Sequence, residues 1–164
     1  MNIVFVCTGN TCRSPMAAAF YQRAAAKAGR NDHVSSRGTA VASTDPIGEK
    51  ASSALTMQQY YNMDISHHLP TLIGPEDIKQ ADLILVMKKH QVNELLARFA
   101  NDPELSMEKK LHTFGNYIGL QGLSIEDPMG KTIDEYYRCA KHLESWVDML
   151  VQKLNSHYAK SIRV

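Results

Sequence analysis

The sequence is short of cysteine, of basic blocks and of long apolar runs. Three cysteines in 164 residues are too few, and odd in number, for a disulfide-stapled secreted scaffold. A reducing, cytoplasmic setting is the natural expectation. The formal net charge is only +1, and cations cluster no further than the pairs Lys88-Lys89 and Lys109-Lys110. That gives no electrostatic argument for a nucleic-acid or membrane partner. No apolar stretch reaches membrane-spanning length, and Met1-Asn2 runs directly into a strand pattern without the basic region of a signal peptide. Internal repeats, low-complexity tracts and linkers are also missing. Residues 1–164 therefore read as a single domain, with 44% apolar residues to build its core.

What is present is an alternation. Residues 2–7 form a continuous apolar run, as expected for a strand buried on both faces. Residues 15–28 carry Met16, Ala19, Phe20 and Ala24 on one helical face, and Gly29 ends that helix. Residues 33–38 read as a second strand, 39–47 as a loop, and 48–61 as a helix with Ala51, Leu55, Gln58 and Tyr61 repeating at three to four. A short helix begins at Pro75. A strand is expected over 82–87, a helix over 89–100 with Val92, Leu95, Leu96 and Phe99 inward, and a strand over 111–114. Residues 115–126 read as a glycine-rich loop with a helical turn. Residues 132–156 are the strongest helix, with Thr132 and Glu135 spaced as a capping box and Ser156 to Val164 left as a frayed tail. Strands alternating with helices imply an α/β three-layer sandwich around a four-stranded parallel sheet. Ligands in such folds bind beyond the C-terminal ends of the strands.

The first strand ends in Cys7-Thr8-Gly9-Asn10-Thr11-Cys12-Arg13-Ser14-Pro15. A strand, a tight loop and a helix N-terminus meet there. A helix N-terminus and a nearby guanidinium favour a thiolate. Successive amides in a curled loop make an anion nest, and Gly9 and Asn10 tolerate the positive φ that a curl requires. Arg13 offers a planar fork to two phosphate oxygens, and the Ser14 hydroxyl is placed to bond the thiol. Taken singly, each residue has a plain reading: a buried cysteine is usually a small apolar residue, and Cys7 with Cys12 could be a disulfide or half a metal site. Taken together, with the strand before and the helix after, they point to a nucleophile facing an anion. The stretch is not a Walker loop, which needs a Lys after its second Gly. The adjacent His67 and His68 have no ligand partners at metal spacing, so no metal is expected.

Residues 6–15 resemble the signature of the low-molecular-weight protein tyrosine phosphatases, and the resemblance runs over nearly the whole chain. It implies a flavodoxin-like topology with strand order 2-1-3-4 and no cofactor. It also implies a cysteine-dependent protein phosphatase that binds phosphate or another oxyanion and acts on a phosphorylated protein. Cys7 is the implied nucleophile, residues Thr8, Gly9, Asn10, Thr11, Cys12, Arg13 and Ser14 the phosphate loop, and Asp127, in Asp127-Pro128 before the last helix, the general acid. In the family a Ser at the Ser36 position bonds the loop asparagine, and a Ser-His, matched to Ser66 and His67, braces the loop. Cys12 is implied as a reversible disulfide partner of Cys7 under oxidation.

Two residues bear on substrate. Thr11 resembles the bacterial protein-arginine-phosphatase branch, where tyrosine-specific members often carry an aliphatic residue. Met129 stands where the family usually has an aromatic wall, and its sulfur can still pack on a ring or guanidinium plane. Phosphoarginine is thereby slightly favoured over phosphotyrosine. Two rival readings fit the sequence less well. An arsenate reductase on the same fold needs two further relay cysteines, and only Cys139 remains beyond Cys12. A non-catalytic phosphoprotein-binding module would not need a nucleophile and an acid together.

Overall fold

The computed structural model describes the backbone of residues 1–161 and the side chains of residues 1–156. Its elements in order are β1 (Asn2–Cys7), α1 (Arg13–Lys27), β2 (His33–Gly38), α2 (Ser52–Tyr61), α3 (Pro75–Gln80), β3 (Leu83–Val86), α4 (Lys89–Arg98), β4 (Leu111–Thr113), α5 (Phe114–Tyr117) and α6 (Ile133–Ser161). Two short 3-10 turns, Pro103–Leu105 and Met107–Lys109, lead into β4. The four strands form one sheet, ordered β2-β1-β3-β4, and every neighbouring pair is parallel.

Strand periodicity divides the core into two layers. Ile3, Phe5 and Cys7 alternate with Val4 and Val6, and Leu83, Leu85 and Met87 with Ile84 and Val86. The first set joins Met16, Phe20, Tyr21, Leu143, Val147 and Leu150 under α1 and α6. The second set packs with Ile78, Leu95 and Leu105 under α3 and α4. Cys7 thus belongs to the α1/α6 side of the sheet and is 2% exposed. Among the described residues no helix is long and apolar enough to cross a membrane.

Several element boundaries depart from the sequence pattern. Helix α1 starts at Arg13 rather than 15, because the Cys12 carbonyl already accepts the Met16 N–H at 3.1 Å. Pro15 then falls in the first turn, where its missing N–H costs nothing. Helix α2 starts at Ser52, not 48: Ile47 and Gly48 donate instead to the carbonyls of His68 and Ser66. Its buried face is Ser53, Ala54, Thr56 and Met57, while Leu55 is 47% exposed. Of the expected face, Ala51 and Tyr61 pack against the core, whereas Gln58 is exposed with Leu55 and the polar Ser53 and Thr56 take buried places. Leu96 of α4, expected inward, lies 38% exposed, and Gln91 takes an interior place. Helix α6 runs through Ser161, so the expected tail is helical for its first residues; 162–164 lie outside the described residues. Of the capping box, the Glu135 carboxylate accepts the Thr132 N–H at 3.3 Å.

Candidate active site

Cys7 ends β1 opposite Gly38 of β2, and the next five residues curl into the start of α1. The curl is held from outside by its carbonyls. Thr39 N–H donates to Cys7 O and Ala40 N–H to Thr8 O, both at 3.0 Å, and Ser53 Oγ donates to Thr11 O at 2.7 Å. Among the described residues, the N–H groups of residues 8–12 have no acceptor within the protein. One residue, Asn10 at φ 56°, takes the left-handed conformation; Gly9 does not. Short polar side chains tolerate that region best after glycine.

Asn10 is the hub of this loop. It is fully buried and makes all four of its side-chain hydrogen bonds. Its Nδ2 donates to Ser14 Oγ at 2.8 Å and to Ser36 Oγ at 2.9 Å. Its Oδ1 accepts the Thr71 N–H at 2.8 Å and lies 3.0 Å from His68 Nε2. The Thr71 donor fixes which amide atom is oxygen, so His68 must hold its proton on Nε2. Burial pushes the His68 imidazole below its ordinary pKa, against the Asn10 bond, which raises it. Ser14 Oγ in turn lies 3.0 Å from Cys7 Sγ and 3.2 Å from the Arg37 carbonyl, two alternative acceptors for its one hydrogen.

The pairing of Asn10 with Ser36 is as the sequence implied, but the bracing histidine is not. His67 points outward, its side chain 90% exposed, 3.7 Å from Asp64. Ser66 is buried, yet its Oγ has no partner and makes no bond to the loop. Its backbone shapes the turn instead, through Asp64 Oδ1 at its N–H and Gly48 at its carbonyl. That turn, closed by His68 N–H on Ile65 O, swings the second histidine inward. In an irregular segment nothing in the sequence tells which of two adjacent histidines faces the loop.

Arg13 and Asp127 meet across the mouth. The Arg13 side chain is 3% exposed; Nη2 pairs with Asp127 Oδ2, and Nη1 donates to the Ile125 carbonyl at 3.4 Å. Arg13 Nε is buried without a partner. Asp127 is partly open, and its Oδ1 accepts the Met129 N–H at 3.1 Å, the turn expected of an Asp before Pro. Met129 itself is 60% exposed on the same loop. The loop is anchored by Ile125 N–H on Met87 O, at the end of β3, and by a Lys88–Glu126 ion pair at 2.7 Å. Cys139 Sγ donates to the Glu126 carbonyl at 3.8 Å, and burial pushes its thiol up to about 12. Cys12 is buried, with Thr11 Oγ1 at 3.6 Å and Tyr136 Oη at 3.7 Å, and burial raises its pKa too. All three cysteines are free thiols.

Gly38, Ser53, Thr71 and Gln91 had no signal in the sequence. A Cβ on Gly38 would sit 2.6 Å from Thr8 O, 2.7 Å from Val41 Cγ2 and 3.1 Å from Asn10 Cβ. The glycine lets β2 approach the loop.

A four-stranded parallel α/β sheet with a Cys-x5-Arg loop at the end of β1 and an Asp-Pro loop against its arginine defines a class of small phosphatase. The family model for low molecular weight phosphotyrosine protein phosphatase matches residues 2–160, and the chain belongs to that family. The chain is 32% identical over 156 residues to the protein-arginine-phosphatase of Bacillus subtilis, covering 94% of this chain and 97% of that one. The crystal structure of a low molecular weight protein tyrosine phosphatase from T. tengcongensis superposes with a TM-score of 0.82 at 31% identity, over 93% of this chain and 99% of that one. A YwlE arginine phosphatase mutant, solved with its active-site serine phosphorylated, gives 0.81 at 29% identity, over 94% and 96%.

Proposed function

We propose that this phosphatase works by two displacements on one covalent intermediate, within a single domain. The observation that carries the reading is the buried Arg13 guanidinium joining the Cys7 loop to the Asp127 carboxylate. It supports reading Arg13 as the anion-binding cation, Cys7 as the nucleophile and Asp127 as the acid of one site. The Cys7 thiolate attacks phosphorus in line. The S–P bond forms as the bond to the leaving atom breaks, and Asp127 gives that atom its proton. The free amides of residues 8–12 and the Arg13 guanidinium, with its unpartnered Nε, hold the phosphoryl oxygens as charge builds on them. Asp127, now ionised, takes a proton from water as the water oxygen attacks phosphorus, the S–P bond breaks, and phosphate, the Cys7 thiolate and protonated Asp127 are released for the next cycle. The YwlE relative with a phosphorylated active-site serine supports a covalent step at this position.

The substrate is a phosphorylated protein, with phosphoarginine favoured over phosphotyrosine. Thr11 lies half-buried in the loop and can offer a polar contact to a phosphoguanidinium. Among the curated relatives, two named protein-arginine-phosphatase are 32% identical and those named as tyrosine phosphatases 25–29%, whereas among solved structures the T. tengcongensis tyrosine phosphatase, at 31%, lies level with the YwlE structures at 28–29%. Exposed Met129 supplies an apolar surface at the mouth for either group. Cys12 is the redox partner that takes Cys7 into a disulfide under oxidation, and the reaction runs in the cytoplasm without a cofactor.

The test is kcat/KM on matched phosphoarginine and phosphotyrosine peptides, for wild type and Thr11→Ile. The ratio is expected to favour phosphoarginine and to shift toward phosphotyrosine in the variant. An unmoved ratio removes the role given to Thr11. Turnover retained by Cys7→Ser removes the mechanism.

A further inference from the structure

Gln91 is a fully buried side chain in the first turn of α4. Its Oε1 accepts the N–H groups of Met87 and Lys88, both at 3.0 Å. Its Nε2 donates to Thr8 Oγ1 at 3.1 Å. A buried amide is tolerated only when bonded, and this one is bonded at both ends. The two backbone donors fix which end is oxygen, so the end that meets Thr8 is a donor. Thr8 Oγ1 is therefore an acceptor in that pair and keeps its hydrogen for another group. Among the described residues that hydrogen has no other hydrogen-bond partner. Thr8 is half-buried, directly follows Cys7, and has its own carbonyl held by Ala40. The neighbouring N–H groups of the loop are donors too, so a bound oxyanion would meet the Thr8 hydroxyl among them.

We propose that Gln91 is a positioning residue and that the Thr8 hydroxyl it orients is a side-chain donor to an oxygen of the phosphoryl group, a proposal that rests on the covalent mechanism above. The oxygen end of Gln91 closes the turn between β3 and α4. The Nε2–Thr8 bond satisfies the buried amide and at the same time fixes the hydroxyl as an acceptor in that pair. A hydroxyl held as an acceptor by a buried amide is pre-aimed, so it donates to a developing anion without reorganisation.

The test is a double-mutant cycle with two readouts, kcat/KM on an aryl phosphate and Tm. Thr8→Val is expected to lower kcat/KM by about tenfold or more, as for loss of one donor to a charged group. Thr8→Ser keeps the hydroxyl and is expected to stay within a few-fold of wild type. Gln91→Met removes both ends of the amide at similar volume, so it is expected to lower both Tm and kcat/KM. In the Thr8→Val background, the Tm loss should persist, while kcat/KM changes by no more than about twofold. Equal activity in Thr8→Val and Thr8→Ser overturns the proposal. So does an equal kinetic loss from Gln91→Met in both backgrounds. Should Gln91→Met not fold, the Thr8 pair decides alone. Calorimetric binding of inorganic phosphate to Cys7→Ser protein, with and without Thr8→Val, separates the two failures. A Cys7→Ser protein that turns over sinks the mechanism, whereas phosphate affinity unchanged by Thr8→Val sinks the donor.

Discussion

His68 Nε2 lies 3.0 Å from Asn10 Oδ1, and this contact separates two adjacent histidines into one that braces the loop and one that does not. Removing the ring in His68→Ala leaves Asn10 Oδ1 with Thr71 alone. The expected cost is about 1–3 kcal/mol of stability for an undercut buried network, together with a fall in kcat. His67→Ala should change stability by less than about 0.5 kcal/mol, as for a surface substitution. Urea unfolding and aryl-phosphate kinetics on the two variants check both statements.

The same histidine sets a pH dependence. Its folded pKa lies below the unfolded value because burial disfavours the charged ring. The unfolded chain then binds the proton more readily. The stabilising contribution is whole above the unfolded histidine pKa and falls as pH drops from there toward the folded pKa. His68→Gln should flatten that part of the stability profile, measured by denaturant midpoint against pH.

Asp32 controls a lower window. Burial alone would raise its pKa, but hydrogen bonds from Arg30 and the Tyr21 hydroxyl outweigh burial and hold it at about 2. A depressed carboxylate stabilises the fold above its unfolded pKa of 3.8 and loses that contribution as pH falls through about 2. Its worth at neutral pH is about 2 kcal/mol. Asp32→Asn should lose a comparable amount near neutrality and show a shallower acid limb below about pH 4. An acid limb identical to wild type would discount the ion pair.

Gly38→Ala should be disproportionately harmful. The added methyl would sit 2.6 Å from the Thr8 carbonyl, which is backbone and has little room to yield. A loss of about 2 kcal/mol or more is expected, with activity falling further than stability because the displaced atoms belong to the loop beside Cys7. Gly122→Ala, where nothing lies within 4 Å but φ is +75°, should cost about 1 kcal/mol with kcat untouched.

Arg13→Lys tests geometry rather than charge. An ammonium keeps the pair with Asp127 but cannot also present a planar second nitrogen to phosphate. A fall in kcat/KM of about 100-fold or more is expected, with Tm little changed. Near-wild-type turnover would show that a point charge suffices.

The strands and the Cys7–Arg13 loop were legible because both are local or periodic signals, whereas the strand order came from the family resemblance. The run Ile3–Val6 can be little else than a buried parallel strand, and Cys7 to Arg13 sits in consecutive positions. Helix α2 was misread because Ser53 and Thr56 are buried in place of apolar residues, which blurs a hydrophobic face. Gln91 and Ser53 could not be picked out at all. Each is one polar residue in a helix, and its significance comes from a partner 83 or 42 positions away. The choice of His68 over His67 depends on a turn whose geometry no periodicity encodes.

The peptide groups around Met87 have a kinetic consequence. Met87 N–H is taken by Val6 O and Gln91 Oε1, and its carbonyl accepts from Ile125. Cys7 ends the first strand, whereas Asp127, 120 positions later, belongs to a loop tied to the end of the third. Pairings of such sequence separation form slowly, and ribosomal synthesis runs from the N-terminus. A nascent chain that has emerged only as far as β3 therefore carries Cys7 and Arg13 without Asp127. It can form the β1–β2 and β1–β3 pairings before Asp127 is available to meet Arg13, so under the proposed mechanism the acid is among the last groups to join the site.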